Sequence, residues 1–295
     1  MATNIYRVHG VPDSTTFGNV GDMYIDMDTY SLYQCVGIDV RGRDCGYITI
    51  YSGEGGNTEH VWVKAGGGSS KTLDDLIEGT PIEVSSNATT IRGSLFEDCE
   101  SLTSVNFPAC TCIGEAAFAG CSSLTSVNFP VCTIVDGRAF PDCFSLTSVN
   151  FPVCTSIGFE SFGYCDGLIS VDFPACTSIG DAAFIKCYGL TSVNFPACTS
   201  VGMEAFSDCT NLHTVDFSEP VHIGSRAFAG CTNLKSVILR ASSVCTMDAN
   251  ALPGYGTTSS PMVYVPSSML SEYSKADGWS AMYDLGHIQT IEYMT

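Results

Sequence analysis

The sequence predicts a solenoid of 22-residue coils with a parallel β ladder and an irregular or short helical convex side, preceded by a small all-β domain. Three observations predict it. Cys99, Cys121, Cys143, Cys165, Cys187, Cys209 and Cys231 follow one another at intervals of 22 residues, and Cys110, Cys132, Cys154, Cys176 and Cys198 keep the same interval in a second series. Leu102, Leu124, Leu146, Leu168, Leu190, Leu212 and Leu234 hold that register, as do Phe96, Phe118, Phe140, Phe162, Phe184, Phe206 and Phe228. Ahead of this repeat, short runs of strand-forming residues alternate with Gly, Asp and Asn.

Taken in chain order, residues 1–64 contain Met23-Tyr24-Ile25, Leu32 to Val36, Tyr47 to Tyr51 and Val61-Trp62-Val63, which predict a small antiparallel β module. Residues 65–71 have the Gly/Ser composition of a flexible linker. Residues 72–98 hold an N-terminal cap, with a short helix over 72–78, and a degenerate first repeat in which Ile82, Val84 and Asn87 copy the later spacing. The solenoid occupies 99–245 and a C-terminal cap 246–295.

Within one unit, Leu102, Val105 and Phe107 open a strand that places Val105 and Phe107 on one face by the two-residue strand period. Ile113 and Phe118 must also point inward, because a single coil buries too little alone and is stabilised by stacking on its neighbours. Burial of each such side chain contributes about 1.5–3 kcal/mol, so the repeated core outweighs any surface contribution. The two cysteine series predict buried thiols. Strands stacked at about 4.8 Å lie within the Cα separation a disulfide tolerates. Thiols aligned along one direction are nevertheless poorly aimed at each other, and the odd ladder starting at Cys99 cannot pair completely. Reduced cysteines are expected.

Lys and Arg number 12 against 31 Asp and Glu, a net charge of −19. A broadly anionic surface repels phosphate backbones and anionic headgroups, so neither nucleic acid nor a membrane surface is an expected partner. Met1 to Gly18 has neither a basic start nor an apolar run of signal-peptide length, and no run reaches the roughly 18 apolar residues of a membrane helix. Neither general secretory export nor membrane insertion is expected.

The block Leu-Thr-Ser-Val-Asn-Phe-Pro-Ala-Cys-Thr-Ser-Val-Gly at 190–202, followed by Ala205-Phe206 and Cys209, closely resembles the BspA-like leucine-rich repeats of bacterial surface proteins. The resemblance covers about residues 80–245 and implies a leucine-rich-repeat solenoid that binds rather than catalyses. In such repeats Cys110 and its equivalents occupy a slot that carries Asn or Cys, whose polar group satisfies the backbone as the chain leaves the strand. Val263 to Pro266, Tyr273 to Ala276 and Trp279-Ser280 resemble the capping segment that follows these repeats, with Ser267 or Ser268 as N-cap of a short helix, Leu270 and Tyr273 on one side, and Trp279 over the last coil. Gly10-Val11-Pro12, Gly18 to Asp26 and Val61 to Lys64 resemble small β modules of phage tail and other virion proteins. That likeness implies attachment to other virion proteins through residues 1–64, and a particle released by lysis needs no signal peptide.

No chemical machinery is legible. His9, His60, His213, His222 and His287 show no metal-binding spacing, Cys110 and Cys112 are read as structural, and Asp26-Met27-Asp28 is too short for a calcium loop. Gly53 to Asn57 and Gly66 to Lys71 lack the ending of a phosphate loop, and Asn87-Ala88-Thr89 is read as coil backbone. No cofactor, metal or catalytic residue is expected.

Variation on the constant frame marks the candidate binding residues. Phe144, Tyr164, Asp166, Lys186 and Tyr188 flank the repeat cysteine on three successive coils, and aromatic groups are common hot spots. Phe159 and Met203 also vary and are expected to fill the convex side. Asn128, Asn150, Asp172, Asn194 and Asp216, with Thr103, Ser104 and Asn106, predict a polar ladder on the strand face that suits a repetitive ligand such as a polysaccharide. The expected function is non-enzymatic recognition of a host-surface protein or polysaccharide by a phage-type tail appendage. Alternatives are a bacterial cell-surface adhesin and an intracellular scaffold, and homo-oligomers are compatible with each. Limited proteolysis should cut near Gly66 to Ser70 and leave a solenoid fragment of unchanged thermal stability. A large loss of stability on cutting would show that the two parts share a core.

Overall fold

A leucine every 22 residues repeats the same strand at the same height, and the computed structural model stacks those strands in parallel. It describes residues 89–293, apart from 92, 101 and 249, and the backbone of seven strands upstream of 89. Every coil crosses two sheets. The first side is divided into a four-stranded sheet of Ile82–Ser85, Leu102–Asn106, Ser126–Asn128 and Ser148–Asn150 and a six-stranded sheet of Ser170–Asp172, Ser192–Asn194, Thr214–Phe217, Ser236–Leu239, Met262–Val265 and Ile288–Thr290. The other is an eight-stranded parallel sheet of two-residue strands running from Thr90–Ile91 to Thr246–Met247. The second side of the described coils is therefore this narrow sheet followed by turns, with no helix, because Pro108-type residues and successive turns leave only two residues free to pair.

The core lies between the sheets. Phe96, Phe118, Phe140, Phe162, Phe184, Phe206 and Phe228 form one column with ring centroids 4.9–5.2 Å apart and nearly parallel planes. Phe107, Phe129, Phe151, Phe173 and Phe195 form a second column at 5.3–5.6 Å. Rings of one column meet those of the other edge-on, as Phe118 meets Phe129 at 6.1 Å and 64°. Both arrangements suit the ring quadrupole, and each pair contributes about 0.5–1.5 kcal/mol beyond area burial.

Beside the rings run the thiols. Cys110, Cys132, Cys154, Cys176 and Cys198 donate S–H to the carbonyl two residues ahead at 3.2–3.4 Å. Cys121, Cys143, Cys165, Cys187, Cys209 and Cys231 donate to a phenylalanine carbonyl of the preceding coil at 3.0–3.3 Å. All described cysteines are free. Burial pushes the Cys110, Cys187 and Cys231 thiols up to about 12 and those of Cys154 and Cys198 up to about 11, so they stay protonated donors.

The C-terminal cap closes on Cys245. Trp279 is fully buried and donates Nε1–H to the Cys245 carbonyl at 2.7 Å, while the Cys245 amide donates to Tyr273 Oη at 2.9 Å. The helical turn at Ser267–Met269 and the helix Leu270–Tyr273 follow Pro266 without a side-chain cap, so Ser267 and Ser268 do not play the expected capping role. Proline at the entry already presets the backbone.

Upstream, Ile5–Val8, Met23–Asp26, Leu32–Gln34 and Val63–Lys64 form one sheet, and Ile48–Ser52 pairs with Asn57–Val61 as an antiparallel hairpin. The expected wholly antiparallel module is corrected here: Ile5–Val8 pairs parallel to Met23–Asp26, because it joins the sheet after a long connection rather than a tight turn. The linker at 65–71, the helix expected at 72–78, and Asn87 lie outside the described residues. Alkylation in denaturant without reductant, read by mass spectrometry, should label the repeat thiols. Protection of twelve or more would mean that the ladders are oxidised.

Candidate functional site

Every coil leaves the narrow sheet through two turns that each demand a left-handed residue. At the first, Ala116, Arg138, Glu160, Ala182, Glu204 and Arg226 have φ of 51–58°. The second is filled by Asp98, Gly120, Asp142, Tyr164, Lys186, Asp208 and Gly230, with φ of 56–74°. Gly and Asp tolerate this conformation, whereas bulky side chains are disfavoured by about 1–2 kcal/mol. Tyr164 and Lys186 are the exceptions in the second column, on adjacent rungs.

These two side chains hold each other. Lys186 Nζ lies 5.0 Å from the Tyr164 ring centroid. A hydrogen bond to Tyr164, with Tyr164 and then Tyr188 and Asp208 nearby, raises the Lys186 ammonium above its ordinary value. Tyr188 and Phe144 follow the repeat cysteine on their coils and are 42% and 48% exposed, and Asp166 occupies the same position on the coil between them. Burial, and then Glu160, Asp166 and Asp98, push the Asp142 carboxyl upward. The turn edge therefore gathers Phe144, Tyr164, Asp166, Lys186 and Tyr188 onto three successive rungs, with carboxylates around them. Phe159 and Met203, expected to fill the convex side, are instead about half exposed, and Arg138 covers the Phe159 ring at 5.2 Å.

The strand-face ladder is hydrogen-bonded to itself. Asn128 Nδ2 donates to Asn106 Oδ1 and Asn150 Nδ2 to Asn128 Oδ1, both at 2.6 Å, and Asn194 Nδ2 donates to Asp172 Oδ1 at 2.7 Å. Asp216 instead receives a forked pair from Arg240 at 2.7–3.0 Å. A threonine series runs alongside: Thr125 and Thr147 donate Oγ1–H to the carbonyls of Thr103 and Thr125, and Thr191 to that of Ile169, at 2.9–3.1 Å. Such satisfied groups offer a partner less than their number implies.

Sequence reasoning also missed a break on the strand side between Ser148–Asn150 and Ser170–Asp172. Gly167 stands at this junction, where Ser145, Asn211 and Asn233 stand on other coils, but Gly189 holds the same position on the next coil, whose strand stays paired. Asn211 and Asn233 use their side-chain amides to reach the preceding coil's carbonyl at 2.8 Å. At Gly167 the backbone N–H makes that bond itself, to Phe144 at 2.9 Å. A Cβ there would stand 2.8 Å from the Leu146 carbonyl oxygen, so glycine allows this close approach, as Gly189 does on the next coil.

Among the described residues no group of three His, Cys, Asp or Glu could hold a metal ion, and no helix is long and apolar enough to cross a membrane. No curated protein matches the chain. Similar solved structures include a leucine-rich repeat protein of T. pallidum, 26% identical over 56% of this chain and 86% of that one, with a TM-score of 0.44. A leucine-rich repeat protein of Bacteroides ovatus is 23% identical over 71% and 66%, with a TM-score of 0.38. A leucine-rich cell surface protein of Faecalibacterium prausnitzii is 21% identical over 63% and 70%, with a TM-score of 0.41. The model of the BspA type leucine rich repeat region matches residues 74–165 and 133–254. Together these matches span more than half of the chain, and the protein belongs to the BspA-type leucine-rich repeat family.

Proposed function

We propose that the chain is a non-enzymatic adhesion protein of a bacterial surface, whose solenoid recognises a surface protein or polysaccharide through the turn edge of Phe144, Tyr164, Asp166, Lys186 and Tyr188. The observation that carries this reading is the pair Tyr164 and Lys186, two bulky residues held left-handed where the other described coils use Gly or Asp. Left-handed Arg138, Glu160, Glu204 and Arg226 occur throughout the first turn column, so what supports recognition is the replacement of Gly or Asp by two large, partly exposed groups on adjacent rungs of the second. The family supports the reading, because BspA-like repeats are those of bacterial surface proteins. The tail-appendage expectation rests on the likeness of residues 1–64 to virion modules alone, and the family match begins at residue 74. The cell-surface reading is accordingly preferred.

Replacing Tyr164 and Tyr188 together by serine should weaken attachment of the fluorescently labelled protein to intact target cells by about 2 kcal/mol or more, with an unchanged circular dichroism spectrum. Undiminished attachment would remove the turn edge from the binding surface. Tyr164→Gly alone should raise stability in urea by about 1 kcal/mol while lowering attachment, because it relieves the left-handed strain and deletes the ring. A loss of stability would show that the Tyr164–Lys186 contact belongs to the fold rather than to recognition.

A further inference from the structure

Three departures from the preceding coils fall within six residues of one coil, and two of them remove a side-chain donor. The Gly167 N–H reaches the Phe144 carbonyl, and the strands Ser148–Asn150 and Ser170–Asp172 lie in separate sheets. Ile169 replaces the threonine whose hydroxyl would reach the Thr147 carbonyl, as Thr147 reaches Thr125. Asp172 replaces the asparagine that would pass an N–H to Asn150, so the amide series restarts at this junction. Ile169 is 60% exposed, the most exposed of the large apolar side chains described. Local rules broken together, with an exposed apolar side chain left among them, are expected where the surface serves a partner.

We infer that the junction between Ser148–Asn150 and Ser170–Asp172 docks a basic, apolar segment of a protein partner. An aliphatic or aromatic side chain lies on Ile169 and Phe144, and a neighbouring Arg or Lys pairs with Asp172. This deepens the recognition proposed for the turn edge and rests on it, since Phe144 and Tyr188 stand at the entry to the same strands.

Charge complementarity selects this occupant. Asp216 already has Arg240, and Lys186 is engaged with Tyr164, whereas the side-chain partner of Asp172 among the described residues is the neutral Asn194 amide. A carboxylate without a cation, on a chain of net charge −19, attracts a positive group and disfavours an acidic one. The aliphatic Ile169 offers neither a hydrogen bond nor a flat ring to a sugar. A hydrophobic side chain next to Arg or Lys satisfies Ile169 and Asp172 together.

The test uses the full chain against a synthetic array of pentapeptides combining Arg or Lys with Leu or Phe. Matched peptides carrying Asp or Glu and a panel of printed glycans stand beside them. Ile169→Thr with Asp172→Asn restores the residues of the neighbouring coils, so the variant should melt at the same or a higher temperature and bind the basic peptides at least tenfold more weakly. Failure of the natural chain to bind basic peptides, stronger binding to acidic peptides or glycans, or binding unchanged in the restored variant would each overturn the inference. Cell attachment separates the two readings. If Tyr164→Ser with Tyr188→Ser abolishes attachment while the restored variant keeps it in full, the turn edge stands and the junction does not.

Discussion

The spacing of stacked aromatic rings governs this molecule. Paired strands repeat at about 4.8 Å, and the Phe118 and Phe140 rings repeat at 4.9 Å. One translation therefore satisfies backbone pairing and ring stacking together. A residue inserted within a coil would move its ring off the column, whereas a change at an outward position costs the column nothing. The columns run unbroken through the junction where the strand sheet parts, with Phe151 and Phe173 still stacked at 5.6 Å. That continuity lets one coil lose strand bonds without dividing the solenoid.

Two rings per coil fill the centre together with a leucine and a β-branched residue, and the thiols occupy the small spaces left between them. Cysteine is compact enough to sit against phenylalanine, and its S–H adds a second donor to a carbonyl that already accepts a backbone N–H, as Cys121 does at Phe96 beside the Cys99 amide. Serine could donate too but is more costly to desolvate. Alanine would leave the carbonyl with its backbone N–H alone. The thiols are thus part of the fold's hydrogen bonding, and burial keeps them protonated.

The proposed recognition falls where the coil departs from its frame. The left-handed turn column is tolerable with Gly or Asp, and Tyr164 and Lys186 place large groups there beside Phe144 and Tyr188. On the strand face, most polar side chains are spent on one another, so their number says little about binding. Asp172 and Ile169 differ because the ladders stop at them. The rigid columns beneath present these few groups at fixed spacing, which limits the entropy lost on docking.

The period of 22 residues, the inward set of Leu102, Val105, Phe107, Ile113 and Phe118, and the turn-edge cluster were all legible in the sequence. A stacked repeat turns sequence interval directly into spatial neighbourhood, so residues 22 apart can be read as touching. The narrow second sheet, the exposure of Phe159 and Met203, and the parallel pairing of Ile5–Val8 with Met23–Asp26 were not legible. Each depends on how far turns and connections carry the chain, which residue types alone leave open. The left-handed turns and the parting of the strands at Gly167 belong with them. Both arise from contacts between coils, where the approach of one backbone to another decides which groups pair, and only the tertiary structure decides that distance.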